Sequence, residues 1–144
     1  MARIEFDLSR HPLIVFTVPE VLSPEDVDAH FERLRNEVFP LGRYASVMDA
    51  SRTDPLDFGA HMRQHTATRY QEHLETFRRC LVSEAYVLES SFQRGVLTAI
   101  RWLAPAPWLT RNFGDPKDAV TWSLENLRRE AETQPRAEVF SRGP

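Results

Sequence analysis

A chain of 144 residues with 42% apolar and 27% charged side chains has the size and balance of one globular domain. Such a chain buries roughly 68–70% of its unfolded surface and needs no metal or disulfide staple. Eighteen basic against twenty-one acidic residues leave a net charge of −3, which argues against nucleic acid and anionic membrane surfaces, since both select an excess of Lys and Arg on one face.

The N-terminal stretch is charged and alternating, with no apolar core of a secretory signal, and the longest apolar run, Leu13-Ile14-Val15-Phe16, is too short to span a bilayer. A cytoplasmic location without membrane insertion is expected. The single cysteine, Cys80, excludes an internal disulfide and multi-cysteine metal or redox motifs.

Ile4-Glu5-Phe6-Asp7-Leu8 alternates apolar and charged residues, the pattern of an edge strand with one wet face. Ser9 to Pro12 supplies a turn, and Leu13 to Val18, apolar at nearly every position, predicts a strand covered on both faces. Ser23-Pro24-Glu25-Asp26 combines an N-cap, a first-position proline and a capping-box acid. Val27, Phe31, Leu34 and Val38 then recur at helical spacing, and Pro40 and Gly42 end that helix.

Tyr44 to Asp49 predicts a third strand, followed by the polar stretch Ala50 to Pro55. One long helix is expected over Leu56 to Arg79, with Phe58, Met62, Tyr70, Leu74 and Phe77 near one face. A fourth strand over Leu81 to Glu89 leads into a helix capped by Ser90 or Ser91 and running to Leu103. Arg94, Thr98 and Arg101 form its only polar stripe, so the helix is read as buried or as an interface. Trp108 to Phe113 predicts a fifth strand, and Asp115-Pro116 opens a last helix with Val120, Leu124, Leu127 and Ala131 toward the core.

The order β-β-α-β-α-β-α-β-α predicts an α/β fold with a mostly parallel five-stranded sheet and one antiparallel edge strand. The domain is placed at 1–131, and 132–144 is expected to be a poorly ordered tail.

Four stretches carry a family resemblance. They are the opening hairpin, the strand closing on Met48-Asp49-Ala50-Ser51, the helix start at Ser90-Ser91, and Phe113-Gly114-Asp115-Pro116-Lys117-Asp118-Ala119-Val120. From Arg3 to Glu130 the chain resembles a STAS-type domain, the fold of bacterial anti-sigma-factor antagonists. The resemblance implies a non-enzymatic regulatory signalling module that binds a protein partner or self-associates. Its phospho-regulated members carry Asp-Ser-Ser-Gly where this chain has Leu56-Asp57-Phe58-Gly59, so the usual phospho-acceptor hydroxyl is missing. A related fold binds lipids in CRAL-TRIO domains, which supplies the alternative of a carrier or sensor of a small apolar or anionic ligand.

Ligands of open α/β sheets sit beyond the carboxyl ends of the strands. That rim gathers Asp49, Ser51, Arg52, Thr53, Asp54, Glu89, Ser90, Ser91 and Arg94. It reads either as a partner- or anion-binding edge or as ordinary caps and turns. Phe92, Trp102 and Trp108 form a possible interface, because aromatic rings beside Arg favour interface cores.

No catalytic, cofactor-binding or metal residue is assigned. His61 and His65 stand at i, i+4 with Glu72 further along, but no His-Glu-x-x-His occurs, and a solvated helix flank is the simpler reading. His30 and His73 read as surface positions too. No Gly-x-Ser-x-Gly, P-loop or dinucleotide fingerprint is present, and an acid/base pair of Asp49 with Asp54 or Asp57 rests only on proximity along the chain.

Overall fold

The apolar segment Leu13–Thr17 forms β2, hydrogen-bonded on both sides: antiparallel to β1 (Glu5–Asp7), with Phe6 opposite Phe16, and parallel to β3 (Tyr44–Asp49), with Val15 opposite Val47. The computed structural model describes residues 3–133. Beyond β3 lie β4 (Leu81–Val87) and the edge strand β5 (Leu109–Phe113), both parallel, in the spatial order β1-β2-β3-β4-β5. This is the expected α/β sheet with one antiparallel edge.

Sequential order with parallel strands puts the crossover helices on one face, because each right-handed connection advances the chain in the same direction. The crossovers are α1 (Pro24–Arg33), α2 (Ala60–Glu72) with α3 (Leu74–Cys80), and α4 (Ser91–Leu103). The closing helix α5 (Pro116–Thr133) covers the opposite face. Side chains alternate across a strand, so Ile14, Phe16, Tyr44, Met48 and Tyr86 enter the larger core, while Leu13, Ala45, Val47, Ala85 and Val87 pack with Ala119 beneath α5.

Local chemistry sets the helix starts. Ser23 Oγ accepts from Asp26 N at 3.1 Å and Asp26 Oδ2 accepts from Ser23 N at 3.0 Å, the reciprocal capping box that the spacing predicts. Ser90 caps α4 in the same way through Gln93. Gly42, at φ +90°, takes the left-handed turn that stops the chain before β3.

The long helix expected over Leu56 to Arg79 is interrupted twice. A single tight turn, Pro55–Asp57, precedes α2, and His73 leaves helical geometry between α2 and α3. The His73 ring Nδ1 lies 2.7 Å from the Arg69 carbonyl, which it takes as an acceptor. Periodicity continues through such a break because the apolar stripe of α3 still meets the same core. At the C-terminal end, Glu132 and Thr133 belong to α5; the rest of the expected tail lies outside the described residues.

Candidate functional site

Glu84 is the residue around which the larger core is organised. It sits in the middle of β4 at 2% exposure, facing the crossover helices. An isolated buried carboxylate would be very unfavourable, and here four groups converge on it. Arg101 Nη2 donates to Oε1 at 2.5 Å, Trp108 Nε1 donates to Oε1 at 3.1 Å, the Tyr86 hydroxyl donates to Oε1, and the Tyr70 hydroxyl donates to Oε2 at 3.3 Å. The Arg101 guanidinium also lies over the Tyr70 ring at 4.5 Å, with the Tyr86 and Trp108 rings at 5.5 and 5.7 Å. Burial, and then the Glu84 charge, push the Tyr70 hydroxyl pKa well above its ordinary range, so it remains a donor.

This cluster fastens α4 to the sheet at its C-terminal half. Gln93 fastens the other end: its Nε2 donates to the carbonyls of Ser51 and Thr53, each at 2.9 Å. Between the two fastenings lies an apolar cavity of about 120 Å³. Met48 and Tyr86 supply its sheet side, Val27 and Phe31 come from α1, and Val96 and Ile100 from α4. Two polar atoms of lining residues, His30 Nδ1 and Thr66 Oγ1, are buried without a hydrogen-bond partner.

His30 corrects the surface position read from sequence. Its ring is buried, with Phe6, Phe16 and Phe31 ring centroids at 5.1, 5.3 and 5.4 Å. Burial, with a smaller contribution from Arg33, lowers its pKa to about 3, so the imidazole is neutral at pH 7.

The strand-end rim is assembled as a set of mutual contacts. Asp49 Oδ1 accepts from Ser51 N and Oγ at 3.0 and 2.7 Å, Asp54 Oδ1 accepts from Leu56 N at 2.9 Å, and Thr53 Oγ1 donates to the Pro19 carbonyl at 3.0 Å. Ser90 Oγ accepts from Gln93 N at 3.2 Å, and Gln93 Oε1 accepts from Glu89 N at 2.5 Å. Gln93 thereby joins the Ser51–Thr53 loop to the start of α4. Glu89, Arg52, Ser91 and Arg94 are exposed around this knot.

The aromatic trio divides. Phe92 and Trp102 face solvent on α4, whereas Trp108 is half-buried, packed on Phe77 at 5.4 Å and bonded to Glu84. Arg101, placed on a polar stripe by the sequence, points inward to Glu84, while Arg94 of the same helix stays exposed with Trp102.

His65 and Glu72 belong to an ion-pair chain. Asp28 Oδ1 meets His65 Nε2 and Arg69 Nε, each at 2.8 Å, and Arg69 reaches Glu72 at 2.7 Å. The Arg69 hydrogen bond, more than His65, holds the Asp28 carboxyl below its ordinary range. His61 is exposed, its ring 6.3 Å from that of His65. Among the described residues no group of three His, Cys, Asp or Glu side chains is arranged to hold a metal ion, and no helix is long and apolar enough to cross a membrane. The Asp57 side chain lies outside the described part of the structure.

Sequence reasoning missed Glu84, Tyr70, Tyr86 and the role of Arg101. One signal was available: a lone Glu inside the otherwise covered strand Leu81–Val87 needs a buried cation.

No protein-family model and no curated protein matches the chain. A solved structure does: an uncharacterised protein of the DUF3478 family with a SpoIIAA-like fold, from Shewanella loihica PV-4. It is 15% identical at a TM-score of 0.57, over 85% of this chain and 95% of that one. At that identity the likeness concerns the fold alone, and the fold of this chain is SpoIIAA-like.

Proposed function

We propose that this chain is a non-enzymatic binding module whose apolar pocket, roofed by α4, takes a small apolar ligand. The observation that carries this reading is the pocket itself: about 120 Å³ of apolar space between α1, α2, α4 and the sheet, partly open to solvent, the concave apolar form that small-molecule sites take. The ionisable groups nearby support binding over catalysis, because Glu84 and Arg101 neutralise each other and both tyrosine hydroxyls are committed to Glu84.

The test is thermal unfolding of the purified chain with a panel of apolar molecules from benzene size upward, alongside native mass spectrometry. A ligand that binds only the folded state raises the midpoint by mass action. A panel without any stabilising member, and a native mass equal to the bare chain, would remove the proposal.

A second reading is a protein-docking module of the regulatory kind that the STAS-type fold suggests. Its support is the outer side of α4, where Trp102 and Phe92 are 84% and 70% exposed beside a surface groove lined by Gly95, Ala99 and Arg63. Large exposed aromatics are favoured as interface anchors. Sedimentation at two concentrations, with and without Trp102→Glu, checks self-association by this face: a monomer throughout speaks against it.

A further inference from the structure

We propose that the pocket takes only the apolar end of its ligand, a small amphiphilic acid whose carboxylate lies in the adjoining groove against Arg63. This inference rests on the reading of the pocket as a ligand site and adds a second subsite outside it.

The two hollows are neighbours. The pocket, about 120 Å³, and the groove on the outer side of α4, about 390 Å³, share two wall residues, Pro55 and Val96. Both residues are half-buried, so they mark where the interior meets the surface. An apolar cavity of about 150 Å³ holds benzene. The pocket therefore suits one ring or a short branched end, and a longer molecule has the groove beside it to run into.

The chemistry changes from one hollow to the other. Among the described residues no Asp, Glu, Lys or Arg lines the pocket, and a charged end placed there would lose its hydration without a counter-charge. The groove wall carries Arg63 and Ser91 and, among the described residues, no carboxylate. Phe92, 70% exposed, gives a ligand's linking carbons an apolar side to lie on. Gly95 keeps the groove open, since a Cβ added there would meet no atom within 4 Å.

Arg63 is the group left to meet an anion. Elsewhere the arginines find carboxylates: Arg33 meets Glu37, Arg69 meets Asp28 and Glu72, and Arg101 meets Glu84. Arg63 has one hydrogen-bond acceptor among the described residues, the Phe58 carbonyl, at 3.1 Å from Nη1. That bond holds the guanidinium beside the turn that Pro55 opens. Its other N–H groups remain for a carboxylate, which a guanidinium takes in a two-point contact.

The experiment titrates the full chain with phenylbutyrate, phenylbutanol and toluene by calorimetry, then repeats the series on Arg63→Met and Gly95→Leu. In the wild type all three bind, and phenylbutyrate binds about 3- to 10-fold more tightly than phenylbutanol, the scale of one charge-assisted contact near the surface. Arg63→Met abolishes that preference. Gly95→Leu fills the groove with a residue that suits a helix better than glycine, so it weakens both longer ligands while toluene binding persists. Toluene binding without a phenylbutyrate preference in the wild type overturns the inference and leaves the pocket site standing. So does a preference that survives Arg63→Met, or binding of the longer ligands unchanged by Gly95→Leu. Binding of none of the three by the wild type sinks the pocket site and the inference together. If Arg63→Met fails to fold, NMR of the wild type decides: phenylbutyrate, and not phenylbutanol, shifts the Arg63 Nε–H resonance, and no shift with phenylbutyrate bound overturns the assignment.

Discussion

Arg101 Nη2 and Glu84 Oε1 meet at 2.5 Å across the boundary between α4 and β4, with both side chains removed from water. The pair places a cation and its counter-ion inside a core otherwise made of aliphatic and aromatic side chains. Replacing either partner alone strands a buried charge.

Breaking the pair from one side is therefore expected to lower unfolding free energy by about 3–5 kcal/mol, whereas replacing both partners is far milder. Urea unfolding of Glu84→Gln, Arg101→Met and the double variant tests this. The double variant should lose clearly less than the sum of the singles. Strict additivity, within about 0.5 kcal/mol, would mean that the two side chains do not act as a unit.

The two tryptophans of this region should behave oppositely. Trp108→Ala removes a half-buried ring from Phe77 and a donor from Glu84, at a cost of about 3 kcal/mol. Trp102→Ala touches an exposed ring and should stay within about 0.5 kcal/mol of the wild type. Comparable losses in the two unfolding curves would contradict the inward and outward orientations described here.

The sheet was legible because β1 and β2 announce themselves by alternation and by an unbroken apolar run, and the starts of α1 and α4 by reciprocal caps. The candidate site was not, for a physical reason. Central strands are covered on both faces, so Glu84 interrupts no alternation and gives no sign of which layer it enters. The orientation of Arg101 was hidden by its neighbours on α4: grouped with Arg94 and Thr98 it reads as polar surface, whereas it turns inward to Glu84 while Arg94 and Thr98 stay exposed. His30 was misplaced because Asp28 and Arg33, its neighbours on α1, are exposed or half-buried, and a helix turns about 100° per residue. The rim around Asp49 and Ser90 was located by fold topology, but its polar groups are turned on one another.

Gln93 offers a test of how the roof over the cavity is held. Its nitrogen serves two carbonyls and its oxygen accepts from Glu89 N and Ser90 N. Gln93→Ala should cost about 1–3 kcal/mol, since it leaves partly buried carbonyls without a donor. Gln93→Glu keeps the acceptor but sets an oxygen against the Ser51 and Thr53 carbonyls, and it should be the less stable of the two at pH 7. Thermal midpoints ranked with Gln93→Glu above Gln93→Ala would show that the contacts to that loop matter little.

His30 ties stability to pH in a direction fixed by its environment. Burial, more than Arg33, lowers its pKa in the fold from 6.5 to about 3, so between those values the unfolded chain binds a proton that the folded chain refuses. Stability from this residue is complete above pH 6.5, falls as the pH drops, and is fully lost only below about pH 3. Across the window the loss approaches about 4–5 kcal/mol, at about 1.4 kcal/mol per pH unit. His30→Leu removes the titrating group, so its unfolding free energy should change less between pH 7 and pH 4 than that of the wild type. Asp28 adds a smaller acid loss of its own, since its lowered carboxyl must be protonated at low pH, and this part is common to both proteins. Denaturant unfolding of the pair at pH 7, 5 and 4 isolates the histidine: parallel pH profiles would place His30 in contact with solvent, against the buried position between Phe6, Phe16 and Phe31.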